Sequence, residues 1–304
     1  MNLPLLLRAL SALVLATLFA GCATTHSRPR SYIAVMGAYG PELVANRSAL
    51  VGTNSPVTTH RINGVAFDHF QLDGRDLLLF PSGVSMVNAA MNTQLALNRF
   101  PISHVLFAGI AGGINPDNHI GDVVIPERWF HHSEAVYANP KPDGSGYLLP
   151  SYFKPPYENF GFIFPDNVSA IREGMPKPVD QPFFPADPAL LDAARRALAK
   201  LPPIQWSTNT ARVKVGGNGI AGPVFMDNRE YRQWAHRVWQ AECLDMESTA
   251  IAQVCWANQI PVLIIRSLSD LAGGQEGLNA ADFTEVPISR HAATVLRAVI
   301  DELP

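Results

Sequence analysis

Ile260-Pro261-Val262-Leu263-Ile264-Ile265-Arg266-Ser267-Leu268-Ser269-Asp270-Leu271-Ala272-Gly273-Gly274 opens as an unbroken apolar run, Val262 to Ile265, rich in β-branched side chains. A run this short, with no polar alternation, predicts a strand covered on both faces, as in the parallel part of an α/β sheet. The character changes at its carboxyl end, where Ser269 and Asp270 are followed by Gly273-Gly274. Open α/β folds bind ligands beyond the carboxyl ends of their strands. A carboxylate delivered there by a buried strand is half-desolvated and available as an acid. Asp270 equally fits a cap on the turn or helix that follows.

Outward from this run, strands alternate with helices. Ala241 to Asp245 predicts a short strand, and Met246 to Cys255 a helix with Met246, Ala250, Ile251, Val254 and Cys255 on its apolar face. Val224 to Asn228 leads into a polar helix over Arg229 to Arg237, and Pro287 can open a closing helix that runs to Leu303. Near the other end, Ser31 to Gly37 reads as a strand ending in glycine, followed by a helix whose first turn holds Pro41 and Glu42. Without a G-x-G-x-x-G this glycine is no dinucleotide fingerprint. Glu42 is also what a helix dipole favours at its N-terminus. A hairpin is predicted from Val65 to Phe80 with its turn at Asp73-Gly74. Met86 to Leu97 predicts a helix burying Val87, Ala90, Leu95 and Leu97. His104 to Ala108 is a strand entering Gly109-Ile110-Ala111-Gly112-Gly113, a cluster that lets backbone approach a ligand closely. Pro188 to Leu201 is an amphipathic helix. The pattern is α/β, with sheet order unspecified.

The chain has 304 residues, 47% hydrophobic and 16% charged, with a formal net charge of -3, so a large core is affordable and no basic block marks a nucleic-acid surface. No linker divides it and no repeat recurs. From about residue 131 to 186, prolines and aromatics cluster in a long loop-like insertion; the aromatics predict an ordered cover rather than disorder. Cys243 and Cys255 read as small buried hydrophobes, and no CxxC or Cys/His spacing appears. His131-His132 are adjacent, so their side chains diverge, and neither a metal nor another cofactor is expected.

Residues 1–22 stand apart. Arg8 precedes an apolar run, Ala9 to Ala20, too short for a permanent span, and the segment ends in Leu18-Phe19-Ala20-Gly21-Cys22. This predicts a secretory signal peptide. Its end resembles a bacterial lipobox with Cys22 as the lipidated residue, although Phe19 stands where Leu is usual; an ordinary cleaved signal with an incidental Cys is the alternative. Residues 23–30 are a polar tether, and Ala23 after the Cys implies the outer membrane. The expectation is an exported, lipid-anchored protein on the periplasmic face.

Four stretches taken in order resemble the nucleoside phosphorylase/nucleosidase superfamily, with methylthioadenosine/S-adenosylhomocysteine nucleosidases the nearest likeness. They are Ile33 to Ala38 with Glu42; Ala108 to Gly113 followed by Ile120 to Val124; Leu244 to Ala252; and Ile265 to Asp270. The resemblance spans nearly all of residues 31–304 except the insertion, and implies a single three-layer domain with a central mixed sheet flanked by helices. It also implies a homo-oligomer. By the same resemblance Met246 and Glu247 hold the ribose, Glu247 accepting from its 2′ and 3′ hydroxyls. Asp270, beside Ser269, protonates N7 of the leaving purine, relieving the negative charge that develops there. Phe225 and Met226 match the base-stacking segment, and Ile110, Ala111 and Gly112 the glycine cluster. Glu42 stands where the nucleosidases carry the carboxylate that activates water.

The superfamily divides by nucleophile. Phosphorylases hold phosphate with an Arg four residues beyond the first-strand glycine, and with another at the end of the strand before the glycine cluster. Here the first position is Pro41, and the second stretch reads Val105 to Ala108. Phosphate wants fixed guanidinium donors, and Glu42 would repel it. The implied activity is therefore hydrolysis of purine nucleosides of the methylthioadenosine or adenosine type. Ile110 departs from the pattern, because nucleosidases often carry Ser or Thr there. Two alternatives remain: a phosphorylase using Arg47, Arg75 or Arg99, and a non-catalytic nucleoside-binding or storage lipoprotein.

Overall fold

The apolar run forms a nine-residue strand, Val262–Asp270, every residue of which is buried. The computed structural model describes residues 31–52, 55–207, 209–279 and 287–303. The signal peptide with Cys22 and the tether of residues 23–30 lie outside the described residues.

The main sheet has twelve strands. They are β1 Tyr32–Gly37, β2 Thr58–Ile62, β3 Val65–Leu72, β4 Arg75–Pro81, β5 Ile102–Gly113, β6 Val123–Ile125, β7 Arg128–His131, β8 Phe184–Pro185, β9 Val213–Val215, β10 Asn218–Ala221, β11 Ala241–Asp245 and β12 Val262–Asp270. The helices are α1 Gly40–Leu50, α2 Met86–Arg99, α3 Pro188–Leu198, α4 Arg229–Trp239, α5 Ser248–Ala257 and α6 Ser289–Asp301. The order is β8-β7-β10-β11-β5-β1-β4-β3-β2, with β12 branching from β5 and joining β6, which pairs β9. The sheet is mixed: β1 runs parallel to β4 and β5, and β12 parallel to β5, while β11 meets β5 antiparallel.

Alternate residues of the central strands feed two cores. Val262, Ile264 and Leu268 of β12 join Ala34 and Met36 of β1 and Ala250, Ile251 and Cys255 of α5 on one face. Leu263 and Ile265 join Ile33, Val35, Leu190, Val295 and Leu296 on the other. Helices α2 and α5 pack together over the first face, and α6 packs on α1 and α3 over the second, giving three layers. Burying one such Leu or Ile side chain stabilises by about 1.5–3 kcal/mol. A one-residue slip of β12 would keep its apolar side chains buried but turn Arg266 away from Glu42, Asp245 and Glu247, so those buried pairs fix the register.

Three sequence expectations change. In α2 the buried residues are Ala89, Asn92, Thr93 and Ala96, whereas Val87 is 78% exposed. Small residues let α2 sit close to α5, and Asn92 Nδ2 donates to the Ser82 carbonyl at 2.9 Å. Helix α5 begins at Ser248 rather than Met246, because Asp245 Oδ1 accepts the N–H groups of Glu247 and Ser248 and makes a turn of the two residues between. Residues 131–186 are built of short antiparallel pairs rather than loop: Ala135–Tyr137 with Ile163–Pro165, Asn139–Pro140 with Tyr147–Leu148, and Val168–Ala170 with Val179–Gln181. Their aromatics pack on α4, with Phe160 5.1 Å from Tyr231 and 5.4 Å from Trp234 between ring centroids.

Cys243 and Cys255 are free and buried. His131 Nε2 pairs with Gln253 and His132 Nδ1 with Tyr231, in separate surroundings.

Candidate active site

The carboxyl ends of β1, β5, β11 and β12 meet because β5 is shared among them: Gly112 lies opposite both Leu244 and Asp270. A cleft of about 230 Å³ opens there. Glu42, Ile110, Ala111, Gly112, Phe225, Met226, Met246, Glu247, Ser269 and Asp270 all line it. Every residue that the sequence singled out as catalytic or substrate-binding is thus in one place. No residue of the 131–186 insertion lines the cleft; the insertion covers α4 instead.

Glu42 comes from the first turn of α1, which follows β1 with Pro41 at its start. Its side chain is 2% exposed. Oε1 accepts from the Ile110 N–H at 2.8 Å and Oε2 from the Ala38 N–H. Burial raises its pKa, against the lowering pull of Arg266 and those two N–H groups. Glu247 is fixed from the far wall: Oε1 accepts from the Ser85 N–H at 2.7 Å. Ser85 makes that contact with φ at 76°, a conformation that non-glycine residues rarely hold and that strains the backbone. Burial, then the neighbouring Asp245 charge, push the Glu247 carboxyl up to about 7.

Asp270 accepts the Ala272 N–H at 2.8 Å on Oδ1 and the Ser269 hydroxyl at 2.9 Å on Oδ2. Burial nonetheless raises its pKa, with Asp227 adding to the rise. Asp270 caps the following turn and also faces the cleft. Gly112 keeps this wall close: a Cβ there would stand 3.1 Å from Asp270 Oδ1.

Sequence reasoning overlooked Arg266 and Asp245. Arg266 lies mid-strand in β12, fully buried, its guanidinium carbon 3.9 Å from the centroid of the Phe107 ring. It faces three carboxylates: Asp245 Oδ2 at 2.6 Å from Nε, Glu247 Oε2 at 3.4 Å from Nη2, and Glu42 Oε1 at 3.5 Å from Nη1. Burial works against its charge, but Asp245, Glu42 and Glu247 together keep it more firmly protonated than usual. Gly109 makes room for this arrangement, since a Cβ there would run into both Glu42 and Arg266. The signal was available: an Arg interrupting an apolar, doubly covered strand requires buried countercharges.

The three arginines considered for phosphate do not line the cleft. Arg47 pairs with Asp68 at 2.6 Å, Arg75 donates to the Leu303 carbonyl, and Arg99 is exposed in the last turn of α2.

A family model described as "Phosphorylase superfamily" matches residues 32–303. The 5′-methylthioadenosine/S-adenosylhomocysteine nucleosidase of Geobacillus kaustophilus is 33% identical over 264 residues, covering 86% of this chain and 94% of that protein. Among solved structures, the Helicobacter pylori nucleosidase of the same name, complexed with a pyrrolidine-containing ligand, superposes with a TM-score of 0.68 at 19% identity, over 91% of this chain and 100% of that one. The futalosine hydrolase of Helicobacter pylori gives 0.66 at 18% identity, over 90% and 98%. At those identities the two structures speak for the fold alone. The chain belongs to the phosphorylase superfamily, as its four motifs imply.

Proposed function

We propose that this phosphorylase-superfamily chain hydrolyses the N-glycosidic bond of purine nucleosides of the methylthioadenosine or adenosine type. The carrying observation is that Glu42, Glu247 and Asp270 share one cleft while its buried cation, Arg266, is surrounded by carboxylates. Three carboxylates against one guanidinium disfavour a phosphate dianion, and favour water as nucleophile. The names of the relatives support the same reading.

In this reading Glu247 accepts the ribose hydroxyls over Met246, and Phe225 and Met226 lie along the base. Water is held on the cleft side of Glu42, while Arg266 lies fully buried behind that carboxylate. The water oxygen bonds to C1′ as the bond from C1′ to N9 breaks. The water proton passes to Glu42, and Asp270, its pKa raised by burial, gives its proton to N7 of the departing purine. The negative charge of Glu247 steadies the cationic sugar in between.

The test is a panel of methylthioadenosine, S-adenosylhomocysteine, adenosine and inosine, with and without phosphate. Free base without phosphate is expected; strict phosphate dependence would decide for phosphorolysis, and no turnover would sink the enzyme reading. Asp270→Asn should lose turnover while unfolding like the parent. We further propose export with a lipidated Cys22 on the periplasmic face of the outer membrane, checked by labelled fatty-acid incorporation that Cys22→Ala abolishes.

A further inference from the structure

We propose that Asp245 is a positioning residue for this hydrolysis, clamping Arg266 so that its two Nη atoms reach Glu42 and Glu247. The role rests on the nucleosidase reading above.

Of the three contacts to Arg266, the one to Asp245 is short, 2.6 Å to Nε, and the other two are 3.4 and 3.5 Å. The short contact therefore sets the plane of the guanidinium, and its Nη atoms are left facing Glu42 and Glu247, which line the cleft. Asp245 is itself rigid. Its Oδ1 accepts the N–H groups of Glu247 at 3.0 Å and Ser248 at 2.8 Å, and its Oδ2 accepts the Ser248 hydroxyl beside Arg266 Nε. It lines the cleft, but both oxygens are already committed to the chain. That separates it from Glu42 and Glu247: it cannot take up a ribose hydroxyl or a water proton without releasing Arg266 or the start of α5.

The charge of Asp245 has its own effect. Facing it are Glu42 from α1, Glu247 from the β11–α5 turn, Arg266 from β12 and the Cys243 thiol from its own strand. It raises the pKa of both glutamates, secondary to their burial. One carboxylate thus aims the cation by geometry and strengthens the base by charge.

The experiment compares Asp245→Asn and Asp245→Glu with the intact enzyme, as kcat and KM across pH 4.5–9. Asp245→Asn should lower kcat by about 10- to 100-fold, the scale of a sub-ångström to 1 Å misplacement, with KM little changed. It should also move the acid limb of kcat/KM to lower pH by about one unit, because a like charge has left the glutamates. Asp245→Glu should restore the limb but not kcat, since the longer arm displaces Arg266. A purely structural residue would lower the melting temperature without moving the limb. Asp245→Asn with the parental kcat and limb overturns the proposal, and so does a raised KM at unchanged kcat, which would mean contact with substrate. If Asp245→Asn does not fold, Ser248→Ala decides: losing one restraint on Oδ2 should cost several-fold in kcat, and a parental kcat overturns the role. An intact enzyme that turns over no nucleoside fails the parent reading and this role with it; an active one beside unaltered variants fails this role alone.

Discussion

Replacing Arg266 with Met tests whether the charge centre is arranged as described. Met fills much of the same volume against Phe107 and leaves Glu42, Asp245 and Glu247 without their cation. At an effective dielectric of about 20, separations of 2.6, 3.4 and 3.5 Å correspond to roughly 6, 5 and 5 kcal/mol of attraction. Most of that offsets the desolvation of four buried charges, so the net cost of removing one partner is about 3–5 kcal/mol. Against a total stability of about 5–15 kcal/mol this is large but survivable. The cost depends on pH with a definite sign. Without Arg266 the glutamates' folded-state pKa values rise further above their unfolded values. A carboxyl raised in this way contributes stability that is fully present below its unfolded pKa, 4.5 for Glu247, and lost as pH climbs through the folded one, already about 7 in the intact protein. The variant should therefore be destabilised far more at pH 8 than at pH 5. Urea unfolding of both proteins at the two pH values measures it, alongside turnover, which should be absent at either. A difference below about 1 kcal/mol at pH 8, or an equal one at both, would refute the picture of three ionisable groups on one buried cation.

Gly109→Ala should cost about 1–3 kcal/mol by overpacking and lose at least about 100-fold in turnover, because the new methyl displaces Glu42 and Arg266 together; a melting scan and a steady-state assay on the same sample check both. Ser85→Gly relieves the strained φ of 76° and should raise stability by up to about 1 kcal/mol, the strain removed less the entropy of glycine; lower stability would mean that the Ser85 side chain, not its backbone, is what this position needs.

The ease of reading the site differs from residue to residue for physical reasons. The first half of β12 was legible because a strand covered on both faces favours an unbroken apolar run, Val262 to Ile265, and that composition leaves a mark no surface strand leaves. Asp270 was legible because it stands where an apolar strand ends, and Glu247 through the likeness of the Leu244 to Ala252 stretch to the superfamily. Helix α2 was not, because its packed face is made of Ala89, Asn92, Thr93 and Ala96, residues chosen for close approach to α5, while Val87 is 78% exposed. The 131–186 stretch read as loop because its strands are two or three residues long, too short for alternation to register. The start of α5 was read two residues early, since Asp245 takes the N–H groups of Glu247 and Ser248 and so sets Met246 and Glu247 in the turn before the helix.

Arg266 shows a different kind of limit. A motif records the groups that would face a substrate, and those announce themselves as polar residues at strand ends. The cation that lets several carboxylates share a dry site has the opposite requirement: it must come from behind, out of the sheet, where no water competes for it. Its place is therefore the middle of a strand buried along its whole length, and in the sequence it looks like an interruption of the core. Yet Glu42 enters from the first helix and Glu247 from the turn between β11 and α5, and no shared strand holds them together. What makes them one site is that both lie within 3.5 Å of the same guanidinium. The charge that is most deeply buried is the one that decides where the proposed catalytic groups stand, and it follows that any substitution that moves Arg266, even one that never touches the cleft, should read out first in turnover.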